Sequence, residues 1–198
     1  MTTGLRQQTF MNLQLNAGVF LKNFDFATAK DKASLETAVL QAMDSTDKVM
    51  GATRGGGTFV CKPTMRSVEA DGRRGPMKGG EVIDMWEVKM TTTLLEITPS
   101  TFKDALMCCD PETNGSKTKL TVRMDILDKD YIPHLVWVGD TSQGMVAIDL
   151  HNALNVAGAN FTFTDRGEGT LPVEFKAHLE SPADMEHLPV DIYFFDAA

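Results

Sequence analysis

The chain has 198 residues, the usual length of one domain, and its 42% hydrophobic and 23% charged residues are ordinary for a soluble globular protein. Its 27 acidic and 19 basic residues give a formal net charge of −8, which disfavours general nucleic-acid binding because cations that neutralise phosphates supply most of that affinity. No signal-peptide pattern opens the chain and no apolar run approaches the roughly 18 residues of a membrane span, so we expect a protein made in the cytoplasm, without membrane insertion.

Two short helices are predicted. Residues 1–30 have the pattern of an N-terminal arm with one short apolar piece, and the first helix follows, capped by Asp31 or Ser34. Its apolar stripe has helical spacing and consists of Leu35, Ala38, Val39, Ala42 and Met43. A second helix should begin after Thr98-Pro99, carry Cys109 on its apolar stripe, and end at Asp110-Pro111.

The other segments have the alternation or the short apolar runs of strands. The predicted strands are 58–70, 81–97, 120–126, 135–138, 146–150, 161–164, 171–180 and 190–195. About eight strands and two helices predict a mainly β fold, a β-sandwich or barrel with one or two short helices packed on it. We see no repeat or linker that divides residues 1–198, so a single domain is expected.

The segment 51–97 is the most informative part of the chain. Its centre, 71–80, is basic and rich in glycine, with one proline, a composition that is unsuited to the interior of a helix or strand. We therefore predict a long hairpin with a flexible loop, and its second strand, 81–97, exceeds the usual 5–6 residues. Along that strand, alternation places Val82 and Trp86 on the same face. An excursion of this kind suits contact with another subunit better than the lining of a catalytic pocket.

The loop carries a small basic cluster, Arg73, Arg74 and Lys78. These cations could contact phosphates or an acidic patch on a neighbouring subunit, and they could also simply be solvated. Because the rest of the chain is acidic, contact between like subunits is favoured over nucleic acid. The candidate inter-subunit contact residues are Asp71, Arg73, Arg74, Pro76 and Lys78.

No catalytic or cofactor motif is found. The glycine-rich stretch 51–58 lies one residue from a phosphate-binding loop, but Gly57 stands where that loop needs lysine, so we interpret it as a turn that feeds an edge strand. Asp149-Leu-His151 and Asp184-Met-Glu-His187 are the nearest approach to metal-ligand pairs, and neither has the second-ligand spacing of zinc sites. We expect no metal, no cofactor and no enzymatic activity.

Three cysteines, two of them adjacent, do not suggest a disulfide framework. Cys108 and Cys109 stand next to each other, and vicinal cysteines rarely pair. With Cys61 the count is odd, which fits a reducing compartment. We expect Cys109 to be a buried, reduced thiol.

Four segments, in this order, resemble the major tail proteins, or tail tube proteins, of long-tailed bacteriophages. The segments are Gly51-Ala-Thr-Arg-Gly-Gly-Gly-Thr-Phe59, Glu69-Ala-Asp-Gly-Arg-Arg-Gly-Pro-Met-Lys-Gly79, Leu94-Leu-Glu-Ile-Thr98 and Gly167-Glu-Gly-Thr-Leu-Pro-Val-Glu-Phe175. The resemblance spans about residues 19–196. It implies a single tail-tube domain, a β-sandwich with an α-helix.

The resemblance also implies a structural role in the virion. Such subunits assemble as hexameric rings, which stack into a tube around a tape-measure protein and meet tail terminator and baseplate or initiator proteins. The genome later passes through the lumen without specific binding, and assembly takes place in the bacterial host cytoplasm. By position, 71–80 is the long loop that packs between rings, and the N-terminal arm also contacts neighbours. Six copies at −8 give about −48 per ring, and if much of that charge lines the lumen it would repel DNA from the wall.

Two alternatives stay open. One is the tube subunit of a phage-derived injection device, which the sequence does not distinguish from a phage tail. The other is a monomeric β-sandwich that binds a ligand, which predicts a concave patch of exposed aromatic side chains.

Overall fold

The protein is mainly β, as predicted. The computed structural model describes residues 13–14, 16–45, 47–182 and 185–196. Its strands are β1 (Val19–Lys22), β2 (Thr53–Ser67), β3 (Glu81–Leu94), β4 (Cys109–Asn114), β5 (Lys117–Val122), β6 (Ile132–Thr141), β7 (Gly144–Asn155), β8 (Leu171–Lys176) and β9 (Val190–Asp196). Its helices are α1 (Lys32–Met43) and α2 (Pro99–Ala105), with 3-10 turns at Phe26–Thr28 and Asp128–Asp130.

Seven strands form one antiparallel sheet that folds on itself into a sandwich. The order is β1-β6-β7-β8-β3-β2, and β9 pairs with the first half of β7. Strand β7 belongs to both layers, because its residues 144–150 pair with β9 and its last two, Leu154 and Asn155, pair with β8. Strands β4 and β5 form a separate two-stranded sheet.

Two buried clusters divide the interior. The first lies between the two layers of the sandwich and includes Leu94, Leu135, Leu150, Leu171 and Phe175. The second lies on the opposite face of the β1-β6-β7-β9 layer, under α1, and includes Leu21, Leu35, Val39, Val136 and Ala147. The molecule therefore has three layers, α1 and the two layers of the sheet.

Helix α1 confirms its sequence signals. Asp31 is the N-cap and its Oδ1 accepts from the Ser34 N–H at 2.8 Å, while the Ser34 hydroxyl accepts from the Asp31 N–H at 3.0 Å, which completes a capping box. Leu35, Val39 and Ala42 are buried as expected. Met43, the last residue of the helix, is exposed instead of continuing the stripe.

The predicted end of the second helix is wrong. Thr98 caps α2, but the helix stops at Ala105 rather than reaching Asp110-Pro111. Met107 has a φ of +69°, which turns the chain out of the helix, and strand β4 then begins at Cys109. Pro111 is tolerated there because β5 is the one strand that pairs with β4 among the described residues, which leaves the other edge of β4 open. Cys108 and Cys109 are buried free thiols, and burial raises the pKa of Cys109.

The predicted arm contains a strand of the sandwich. Residues 1–12 lie outside the described residues, but Phe20 and Leu21 are fully buried in β1, which pairs with β6. A four-residue strand is too short to show an alternation, so the sequence indicated only an apolar piece. The predicted strand at 161–164 is absent from the described residues, where a single bridge joins Thr162 and Thr170.

The glycine-rich stretch lies inside β2 rather than in a turn before it. The register shifts between Thr53 and Gly57, and Gly55 and Gly56 have φ values of +76° and +72°, so the glycines form a bulge. A Cβ on Gly57 would lie 2.7 Å from the Thr91 carbonyl oxygen, which explains the absence of a side chain there. The stretch continues as a strand and opens no helix, so it lacks the geometry of a phosphate-binding loop.

Candidate assembly surface

The β2–β3 hairpin extends beyond the sandwich. Residues 89–94 of β3 pair with β8, and the last main-chain contact on that side is the Ala177 N–H donating to the Val88 carbonyl at 3.0 Å. From Glu81 to Glu87, β3 pairs only with β2 among the described residues. At about 3.3 Å per residue the two-stranded part is roughly 25 Å long. We call residues 61–67 and 81–87 the distal ribbon.

The distal ribbon exposes large apolar side chains. Met65, Ile83, Met85 and Trp86 have exposed fractions of 55%, 48%, 60% and 38%, and Val82 is exposed as well. Closer to the sandwich the same strand is buried, as at Val88. The apolar character of β3 therefore continues past the point where the described residues cover it.

A bulge rearranges the two faces of the ribbon. Thr64 pairs with Met85 and Met65 pairs with Ile83, so Asp84 is an extra residue on β3. Trp86 pairs with Pro63, and Ile83 pairs with Met65. Pro63 and Met65 are two residues apart on β2 and therefore share a face, so Ile83 rather than Val82 lies on the Trp86 face. The predicted face-sharing of Val82 and Trp86 is therefore wrong. Both faces of the ribbon are left partly apolar.

The loop at the tip is organised by one of its predicted contact residues. Arg73 is half-buried, and its guanidinium donates to the Gly75 carbonyl at 2.8 Å and to the carbonyls of Val68 and Gly80. Gly72 and Gly79 have φ values of +83° and +82°, a region that favours glycine. The loop therefore has a defined shape, and Arg73 acts inside it.

The other candidate contact residues lie on the outside of this loop. Asp71, Arg74, Pro76 and Lys78 are all exposed. Within the described part of the chain, neither Arg74 nor Lys78 forms a hydrogen bond or ion pair. The structure thus brings the five residues together in one loop, with four side chains free to meet a partner, and their role in subunit contact stays a prediction.

Open strand edges accompany the ribbon. Across the described ranges, β2 pairs only with β3 and β9 only with β7. The β9 edge also exposes Ile192 and Phe194, with exposed fractions of 48% and 76%. A free edge with apolar neighbours is a ready template for pairing with another chain.

The outer face of the sandwich carries a cluster that the sequence did not reveal. His134 on β6 lies opposite His151 on β7, and their Nδ1 and Nε2 atoms lie 2.9 Å and 3.6 Å from Oδ2 of Asp149. One donor atom from each of the three lies within 4.8 Å of the others. Burial raises the pKa of the Asp149 carboxyl above its ordinary value, although hydrogen bonding to His134 acts in the opposite direction.

In the sequence, Asp149 and His151 form a candidate pair. His134 is not part of that pair, because this residue is distant in sequence. The hairpin that joins β6 and β7 turns between Thr141 and Gly144, and His134 and His151 are both seven residues from that turn. The sequence signal that could have revealed the cluster is that His134 and His151 lie at equal distances from a predicted hairpin turn. Of the other pair, Asp184 lies outside the described residues.

Two comparisons with known proteins identified no relative of this chain. A scan against models of protein families found no match, and a search of curated proteins found no significant similarity. Among the described helices, none combines the length and the apolar character that crossing a membrane requires.

Proposed function

We propose that this chain is the structural subunit of a phage tail tube, which assembles through the distal ribbon and the loop at its tip. The supporting observation is the exposed apolar ribbon, which includes Met65, Ile83, Met85 and Trp86. Exposed apolar patches of this kind mark interaction sites in soluble proteins. The resemblance of four sequence segments to tail tube proteins identifies the partner as further copies of the same chain.

The energetics of the ribbon favour a partner. A two-stranded hairpin is marginally stable at best in water, and it needs packing on a third element. Burial of its apolar surface against a neighbour supplies roughly 25 cal/mol per Å². A ribbon on one copy that packs against a different surface of the next makes a heterologous contact, and such contacts form a ring when the rotation from copy to copy closes.

In this proposal six copies form a ring, and rings stack around a tape-measure protein between a tail terminator and baseplate or initiator proteins. The exposed residues Asp71, Arg74, Pro76 and Lys78 of the tip loop meet the next ring. The assembled tube is part of the virion and conducts the genome, and the net charge of −8 per copy keeps DNA from adsorbing. No catalysis is required of any residue. A tube in a phage-derived injection device uses the same contacts.

A ligand-binding module is the second candidate, and one groove favours it. The groove has a volume of about 590 Å³, and its lining includes Phe20, Phe59, Trp137 and the glycines of the β2 bulge. The volume suits a small ligand. This candidate leaves the exposed distal ribbon without a role, so we rank it second.

Negative-stain electron microscopy of the purified protein over a concentration series tests the proposal. We expect hollow tubes or six-fold rings to appear with rising concentration. If the wild-type protein stays monomeric, the same series with tape-measure and initiator proteins from the same genome follows. Monomers under both conditions would overturn the tube and favour the ligand-binding module.

A further inference from the structure

We propose that His134, Asp149, His151 and Asp191 form a binding site for a divalent transition-metal ion of the zinc type. The four residues lie on three adjacent strands, β6, β7 and β9, on one face of the sheet. The site is independent of the distal ribbon and of the proposed tube.

The strand register brings the four side chains together. His134 pairs with His151 across β6 and β7, and Asp149 pairs with Asp191 across β7 and β9. Residues 149 and 151 share a face because side chains alternate along a strand. The sheet itself therefore assembles two imidazoles and two carboxylates at one place.

The donor spacings of His134, Asp149 and His151 are close to those around a tetrahedral ion, and Asp191 lies beside His151. His134 Nδ1 lies 2.9 Å from Asp149 Oδ2, and His151 Nε2 lies 3.6 Å from the same oxygen and 3.2 Å from Asp191 Oδ2. A tetrahedral ion with bonds of about 2.0–2.1 Å separates its ligand atoms by roughly 3.3 Å. A metal ion can thus bind with small side-chain movements.

Asp149 supplies an independent indication. Its side chain is only 4% exposed, yet its Oδ1 atom has no hydrogen-bond partner within the described ranges. A buried carboxylate oxygen without a partner is costly, and an ion bound by both oxygens of Asp149 would relieve that cost. His134 and His151 are partly exposed beside it, which leaves a path for an ion from solvent.

The donor set selects the class of ion. Two imidazoles with carboxylates suit zinc, cobalt and nickel, whereas calcium and magnesium prefer sites made only of oxygen ligands. Three protein ligands leave one position open, and the exposed Asp191 carboxylate, 3.2 Å from His151 Nε2, can fill it by rotating its side chain. A bound ion would tie β9 to β6 and β7 at the outer face of the sandwich.

The test uses the untagged full-length protein, with Cys61→Ser to remove the exposed thiol as a competing ligand. We expect Co²⁺ to bind with one equivalent and to give the visible absorption of a tetrahedral site. Zn²⁺ at about 100 times its Kd should raise Tm by about 5–10 °C. Mg²⁺ should leave Tm unchanged.

Two variants locate the site. His151→Ala removes a half-exposed side chain that we assign as a direct ligand. Loss of a residue that only supports a ligand weakens metal binding roughly 10–100-fold, so the loss of Co²⁺ affinity should be larger than that. His187→Ala, at an exposed histidine elsewhere, is the matched control and should bind as the parent does. The proposal is overturned if the parent shows neither the absorption nor the Tm rise. It is equally overturned if His151→Ala binds like the parent.

Discussion

Two hairpins, β4–β5 and β2–β3, extend from the sandwich, and their exposed surfaces differ in polarity. The β4–β5 hairpin is short and largely polar, with Glu112 paired to Lys119 and Thr113 to Thr118 across the strands. The distal ribbon of β2–β3 is longer and exposes large apolar side chains on both faces. A hairpin that remains in solvent needs a polar surface and anchors of its own, and the distal ribbon lacks that surface.

The anchors of the β4–β5 hairpin are ionic. At its side Arg123 donates two hydrogen bonds to the Asp130 carboxylate and lies 3.0 Å from Asp110, which also meets Lys129. At its base, α2 is tied to β1 by Lys22 Nζ, 2.6 Å from Asp104 Oδ2. The distal ribbon has an ion pair between the exposed side chains of Arg66 and Asp84, and Glu87 at its inner end meets Lys89 of the sandwich. Such exposed pairs contribute little. Four predictions test this comparison.

The largest stability effect is expected at the base of the β4–β5 hairpin. Asp104→Ala leaves the Lys22 ammonium buried with only the Ser100 hydroxyl at 2.8 Å, so the free energy of unfolding should fall by about 3–5 kcal/mol. Urea denaturation measures the loss. The double variant Lys22→Met with Asp104→Leu should recover most of it, because apolar side chains then fill both positions. A single-variant loss below about 1 kcal/mol would show that the pair is solvated.

A smaller loss is expected at the side of the same hairpin. Asp130→Asn removes the charge that faces Arg123 at a side chain only 1% exposed, and should lower Tm by several degrees. Lys129→Ala is the comparison variant, because that ammonium is exposed and its contact with Asp110 should contribute less than the buried charge of Asp130. Thermal melts of Asp130→Asn and Lys129→Ala, measured under the same conditions, compare the two changes in Tm. Equal shifts would contradict the assigned roles.

The same network predicts an acid-sensitive hairpin. Hydrogen bonding from Lys129 leads the causes that keep the pKa of Asp110 below its ordinary value. Burial would raise the pKa of Asp130, but hydrogen bonds from Arg123 and from the Leu127 N–H outweigh it and leave that pKa lowered. Their contribution to stability is therefore complete above about pH 4 and is lost as pH falls through the lower folded values.

Arg123→Met should flatten this part of the Tm–pH profile, since Asp130 loses the cation that lowers its pKa most, while Asp110 keeps Lys129. The distal ribbon has no such network, and Arg66→Met serves as its control. An Arg123→Met profile that keeps the full acid slope would contradict the assignment.

The smallest effects are expected in the tip loop. Arg74→Ala removes an exposed cation and should slow assembly a few-fold, by an amount that shrinks at high salt. Arg73→Ala instead removes the donor to three loop carbonyls, so limited proteolysis should cut the loop faster. Light scattering at two salt concentrations and a proteolysis time course separate the two roles. If Arg74→Ala assembles at the wild-type rate at low salt, the loop makes no charged contact.

Local signals were enough where one segment determines its own structure. The apolar spacing of α1 and its Asp31 cap were read from the sequence, and so was β8, where Leu171, Val173 and Phe175 are buried and alternate with more exposed residues. Periodicity needs several residues on one regular element, and these two segments provide them. The mainly β class followed from the same signals.

The features that the sequence did not predict depend on contacts between distant segments. The extra residue Asp84 exchanges the faces of the distal ribbon, and no property of that residue marks it as a bulge. The His134–Asp149–His151 cluster depends on the pairing register of β6 with β7, which a separate inspection of each strand does not give. The candidate loop residues were located correctly, but the inward role of Arg73 depends on carbonyls at both ends of the loop.

The most direct measurement of the central claim is sedimentation velocity over a concentration series on a matched pair of variants. Met65→Lys with Ile83→Glu places opposite charges at a directly paired position of the distal ribbon, so the strands stay paired while the apolar surface of the Trp86 face is interrupted. Thr113→Lys with Thr118→Glu does the same on the β4–β5 hairpin. Both variants should melt like the wild type. We predict that the first raises the concentration needed for rings or tubes by about 100-fold or more, equivalent to about 2.7 kcal/mol, and that the second assembles as the wild type does. Assembly of the first variant at the wild-type concentration would contradict the account.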